Sequence, residues 1–228
     1  MTSLPVIAID GNAASGKGAL ARSLAGSLGF APMDTGELYR LVALRMLENG
    51  CDATDENSAV GFARMMRRTF DHRKVAPAAL KTNNVSQITS ITSAFPLVRA
   101  EVLEVQRAFI KNPPDLPGGD AAKGSVLDDR DIGTVVCPDA PVKLFVTADA
   151  ETRAFRRFRE MRMSGFVGTY EAVLAEIRER DARDASRAAG PMKAAHDAVI
   201  LDTTTLSASE VVEAALSHVR GKLGVAGE

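Results

Sequence analysis

The chain has 228 residues, 46% of them hydrophobic and 25% charged, with a net charge of −1. That length and composition fit one globular domain with insertions, or two small ones, and the charge argues against the basic surface that general nucleic-acid binding needs. Two cysteines, Cys51 and Cys137, are too few for a disulfide framework; with no signal-like N-terminus and no apolar run near the ~20 residues of a membrane span, a cytoplasmic protein without membrane or nucleic-acid partners is expected.

In chain order, residues 5–10 (PVIAID) form a short β-branched apolar run, the mark of a strand buried on both faces. A glycine-rich turn follows, then a helix over 17–28 with Leu20, Leu24 and Leu28 on one stripe and Gly29 as its stop. FAPMDTG supplies a short strand and 37–47 a second helix. Thr54 is placed to cap a third helix running to residue 69, with Glu56 in its first turn. Residues 70–92 are polar and without period, so an insertion with little regular structure is expected there. A helix follows over 97–110, then a loop over 111–124 with three prolines and three glycines. Strands are expected at 125–129, 142–147 and 198–202. Arginine-rich helices occupy 150–163 and 170–187, and the last helix, 207–219, is capped by Ser207 with Glu210 three residues on. Strands alternating with helices imply an α/β fold with a parallel sheet flanked by helices, in which ligands sit at the carboxyl ends of the strands.

GNAASGKGAL, residues 11–20, lies at such an end. It nearly matches the phosphate-binding P-loop, G-x-x-x-x-G-K-[ST], in which backbone N–H groups and a helix N-terminus surround an anion. Gly11 and Gly16 let the backbone wrap, and Lys17 can reach the outer phosphates. The competing reading is a tight turn with an exposed lysine. Gly18 and Ala19 stand where the motif has a hydroxyl that binds magnesium. The metal would then be held mainly by substrate phosphates and waters, which Mg²⁺ accepts, with Asp10 and Asp128 as candidates to hold those waters and no protein ligand contacting it directly.

A second group of charged residues recurs at strand ends. GSVLDDRDIGTVV holds three acids and Arg130; MDTGELYR holds Thr35 and Arg40; ERDARDASR puts Arg180, Arg183, Asp184 and Arg187 on one helix face. Like charges so close repel unless acids or a polyanion lie opposite. The 20 arginines against 8 lysines favour planar, bidentate phosphate recognition, although most of the arginines at 153–162 and 178–187 are expected to be solvated helix faces.

Together with AFPLVRAEVLEVQRAF and the segment ending in AVILDTTTLS, these motifs span most of the chain in order, and the sequence resembles the bacterial cytidylate kinases, a family of P-loop nucleoside monophosphate kinases. The resemblance implies a single domain over 1–228, with a three-layer P-loop fold, a reduced monophosphate-binding insertion at about 70–98 and a helical lid at about 164–190. It implies transfer of the γ-phosphoryl group of ATP to CMP or dCMP, with magnesium; nothing in the sequence demands a partner chain, and a monomer is expected. By resemblance, residues Gly11, Asn12, Ala13, Ala14, Ser15, Gly16, Lys17, Gly18 and Ala19 hold the ATP phosphates, and Arg157 lies against adenine. Arg40 and Arg130 grip the CMP phosphate; Thr35, Asp128 and Asp184 lie on the acceptor side, Thr35 and Asp184 facing the sugar; Ser90, Arg99 and Asp131 read cytosine. Arg180, Arg183 and Arg187 cover the transferring group. The sequence departs from the family at Ala19, usually Thr, at Asp129, usually Gly, and in the shortened insertion. Two alternatives follow: a P-loop kinase for another small acceptor such as UMP, shikimate or a sugar, or a nucleotide-binding paralogue of weak activity.

Overall fold

A computed structural model describes residues 4–72, 78–163, 165 and 167–224. Five strands, β1 (Val6–Gly11), β2 (Ala31–Asp34), β3 (Ser125–Asp128), β4 (Val142–Thr147) and β5 (Val199–Asp202), form one sheet in the order β2-β3-β1-β4-β5. All neighbours are parallel, with Ile7 opposite Val126 and Val142. Eight α-helices accompany them among the described residues: α1 (Lys17–Leu28), α2 (Gly36–Glu48), α3 (Glu56–Thr69), α4 (Asn83–Thr92), α5 (Pro96–Lys111), α6 (Ala150–Met163), α7 (Tyr170–Ser186) and α8 (Ala208–Leu223).

The central strand shows why the sheet is covered on both faces. Every residue of β1 is buried, and successive side chains point to opposite sides. Ile7 and Ile9 share a core with Leu20 and Leu24 of α1 and with Val211, Ala215 and Val219 of α8, whereas Val6 and Ala8 join Leu38, Val42, Ala63 and Val102 of α2, α3 and α5. An uninterrupted apolar run is what such a strand requires. Helices α6 and α7 pair as an arm with a small core of their own, built on Ala154, Met161, Val173 and Ile177. No helix among the described residues is long and apolar enough to cross a membrane.

Two local expectations are corrected. The cap of α3 is Asp55, whose carboxylate accepts from the Ser58 N–H at 3.1 Å; Thr54 instead donates to Asp52. Residues 83–92, expected to be irregular, form α4, with Thr82 as its cap. Its buried face is made partly of hydroxyls: Thr89 donates to the Val85 carbonyl at 2.7 Å and Thr92 to that of Ile88 at 3.1 Å. Satisfied this way, Thr89 and Thr92 are buried like apolar residues, so the hydrophobic period is hidden in the sequence. Residues 73–77 of the expected insertion, and 164 and 166 of the expected lid, lie outside the described residues.

Candidate active site

The phosphate loop joins β1 to α1. Gly11 has φ of 139°, and a side chain there would overlap the Val146 carbonyl of the adjacent strand. Gly16, with φ of 94°, caps α1 in the left-handed region that glycine adopts freely. Ala14 is also left-handed, with φ of 59°, a costly conformation for a residue with a Cβ and one that clusters at functional sites. The loop is braced from within: Ser15 Oγ and Lys17 Nζ both donate to the Asn12 carbonyl, at 2.9 and 2.7 Å, and Asn12 Oδ1 accepts from Thr147 at 3.1 Å. Lys17 is only 6% exposed, against the exposed-lysine reading. Burial pulls its pKa down to about 7, with Arg130 adding to the effect and Asp128 opposing it. Gly18 is half-buried beside Asp128, and Ala19 faces solvent on α1.

Both Asp10 oxygens accept backbone amides, from Ile132 and Gly133, each at 2.7 Å. Asp10 therefore fixes the turn that follows Arg130 and Asp131. Burial pushes its pKa up to about 7. Asp128, buried at the end of β3, is also pushed up to about 7, by burial and then by Asp34. It is the carboxylate opposite Lys17 and is suited to the outer hydration sphere of a metal. The described residues contain no group of three or more side chains able to hold a metal directly.

Across from the loop, a narrow cleft is lined by Gly36, Arg40, Arg130, Arg180, Asp184 and Arg187, among others. Arg130 Nε donates to Asp184 at 3.0 Å and its Nη1 to Asp129 at 3.3 Å. Asp129 is buried, so its extra charge falls within the site. Arg180 reaches Ser86 at 3.2 Å, and burial together with Arg130 pulls its pKa down to about 10. Arg187 donates to the Gly190 carbonyl at 2.5 Å and lies 3.5 Å from Asp184. Arg180 Nε and Arg187 Nη2 are buried without a hydrogen-bond partner. Buried guanidinium donors normally find acceptors, so this cleft has the chemistry of an anion site. Arg40 pairs with Asp34 at 2.6 Å at its edge, and Arg183 stands at the rim, bonded to Ser90 and Glu179.

Arg99 and Asp131 form a buried ion pair, with the Arg99 guanidinium 5.5 Å from the ring centre of Tyr39. Asp131 Oδ1 is buried without a partner. Gly190, with φ of 59°, presses on this pair so closely that a Cβ would overlap both side chains.

The sequence-derived set divides accordingly. Lys17, Arg130, Arg180, Asp184 and Arg187 converge, and Arg40 joins them. Thr35 is fully buried behind the cleft, its hydroxyl donating to the Asp128 carbonyl at 3.2 Å. Arg157 pairs with Glu160 of its own helix at 3.2 Å; Arg153 and Arg156 are the α6 residues tied to the loop, Arg153 directly and Arg156 through Thr203, which donates to the Ser15 carbonyl at 3.3 Å. These two, with Tyr39 and Gly190, are residues that sequence reasoning missed. Gly190 carried a faint signal, since Gly-Pro follows a helical run.

A family model described as "Cytidylate kinase" matches residues 7–221. The cytidylate kinase of Rhodospirillum rubrum is 47% identical over 217 residues, covering 95% of this chain and 98% of that protein. That of Paramagnetospirillum magneticum is 46% identical with the same coverage. Among solved structures, an uncharacterized protein from Eubacterium ventriosum shares the fold at a TM-score of 0.51, with 15% identity over 96% of this chain and 99% of that one. A match over nearly the whole chain, at nearly half identity, establishes that this protein belongs to the cytidylate kinase family.

Proposed function

We infer that the protein transfers the γ-phosphoryl group of ATP to CMP or dCMP, releasing ADP and CDP or dCDP. The observation that carries this reading is the convergence of buried guanidinium groups opposite the phosphate loop, two of them with unpartnered nitrogens, in a chain of this family. In phosphoryl transfer the protein's task is alignment and charge neutralisation. Lys17 and the loop amides hold the donor phosphates. Arg130 and Arg40 hold the acceptor phosphate, and Arg180 and Arg187 face the equatorial oxygens between them. Closure of the α6–α7 arm excludes water.

Magnesium, when bound with ATP, neutralises phosphate charge; Asp128 is the residue placed to hold its waters. Asp131, with an unpartnered oxygen, accepts from the exocyclic amine of cytosine, which uracil lacks. The test is an acceptor panel of CMP, dCMP, UMP and AMP with ATP and magnesium. CMP and dCMP are expected to be preferred, and a preference for UMP would defeat the assignment.

A further inference from the structure

Arg153 lies in the arginine run at the start of α6, where a solvated helix face is the ordinary expectation. It is instead 3% exposed. Three of its nitrogens go to three different segments. Nε donates to the Ala148 carbonyl at 2.8 Å, at the end of β4. Nη1 donates to the Ala13 carbonyl of the phosphate loop at 3.3 Å. Nη2 pairs with Asp181 of α7 at 2.7 Å. Asp181 lies between Arg180 and Arg183 in the sequence of α7, the helix whose arginines are proposed above to face the transferring phosphate.

The Ala13 contact acts on the loop through peptide geometry. A trans peptide is planar, with its carbonyl and the following N–H on opposite sides. Holding the Ala13 carbonyl toward Arg153 therefore turns the Ala14 N–H away from it, and Ala14 is the loop's left-handed alanine. A second observation links the same parts: the Ala14 side chain packs against the small core of the arm, with Ala154, Val173 and Ile177. The conformation of the loop and the position of α7 thus share contacts at two points.

We propose that Arg153, through Asp181, is a positioning residue that keeps the phosphate loop and the arginines of α7 in register. Only arginine has the planar fork to reach three acceptors at once, and Asp181 Oδ1, buried with no hydrogen bond of its own, is held there by its pairing with Arg153.

The inference rests on the kinase reading above, so wild-type turnover of CMP is measured first and a readout without turnover is run beside it. In Asp181→Asn and Arg153→Lys, kcat is expected to fall roughly 10- to 100-fold while KM for CMP stays within about threefold, as for a small misplacement of aligned groups. Arg178→Ala breaks an exposed pair with Glu151 that also joins α6 to α7, at 2.5 Å, but does not reach the loop; it is expected to keep the wild-type kcat. In hydrogen exchange with ATP alone, α7 amides are expected to gain protection in the wild type and not in Asp181→Asn. Unchanged kcat in Asp181→Asn, equal loss in Arg178→Ala, or undiminished ATP-dependent protection in Asp181→Asn each overturns the proposal. Should Arg153→Lys fail to fold, Asp181→Asn decides. If the wild type does not turn over CMP but the exchange difference holds, the acceptor assignment fails and the coupling stands.

Discussion

Lys17 carries its charge into a space almost closed to water, where one backbone carbonyl and the fields of Asp128 and Asp129 are its compensation. This arrangement suits a group whose true partner is a phosphate, and it has a consequence for the nucleotide-free protein. In the unfolded chain the amine keeps its proton up to about 10.5; in the folded chain it releases it near 7. Between those values the unfolded state binds more protons, so stability rises with pH, each pH unit corresponding to at most about 1.4 kcal/mol. Lys17→Met has no such proton. It is expected to be more stable than the wild type below pH 7, with the difference shrinking toward pH 10.5, as read by urea unfolding without nucleotide. A constant difference across that range would mean that the amine is not buried in its charged form. In turnover, Lys17→Ala is expected to lose about 10³-fold or more, and a near-normal rate would refute the site.

At the scale of elements, what could be read from the sequence was what is local. β1, the glycine loop and α1 are contiguous, and each reports its own constraint: an apolar run, glycines at positive φ and a leucine stripe ended by Gly29. The capping box of α8 is equally local, Ser207 and Glu210 bonding to each other's ends of the first turn. By contrast, α4 hides its buried face among hydroxyls that bond to their own helix, and Arg153 is set apart from the other arginines of α6 by its bonds to Ala13 and Asp181, both far along the chain. The turn after α7 is of the second kind. Gly190 is required because Arg99 and Asp131, from α5 and the segment after β3, come to rest against it. Gly190→Ala must either displace that pair or abandon a left-handed turn. Because Arg99 and Asp131 are the proposed readers of cytosine, KM for CMP is expected to rise roughly tenfold or more, about 1.4 kcal/mol, while KM for ATP is retained. Equal loss for both substrates would place the damage in the arm as a whole.

At the scale of the molecule, the sheet is enclosed between two large apolar clusters, whereas α6 and α7 have a separate, small core. The arm meets α4 and the segment after β3 largely through polar groups: Arg180 on Ser86, Arg183 on Ser90, and Asp184 on Arg130. Few apolar contacts hold a segment weakly in place, and the missing acceptors of Arg180 and Arg187 are ones that phosphates of either substrate could supply. Under the proposed assignment, donor and acceptor draw the same arm toward the same cleft. Two ligands that favour one state of one element must be coupled, each raising the affinity for the other. Each ligand also raises the unfolding midpoint by binding only the folded chain. A non-hydrolysable ATP analogue and CMP, added together with magnesium, are accordingly expected to raise the midpoint by more than the sum of their separate effects. Shifts that simply add would mean that the two halves of the cleft fill independently, and that the arm does not serve both.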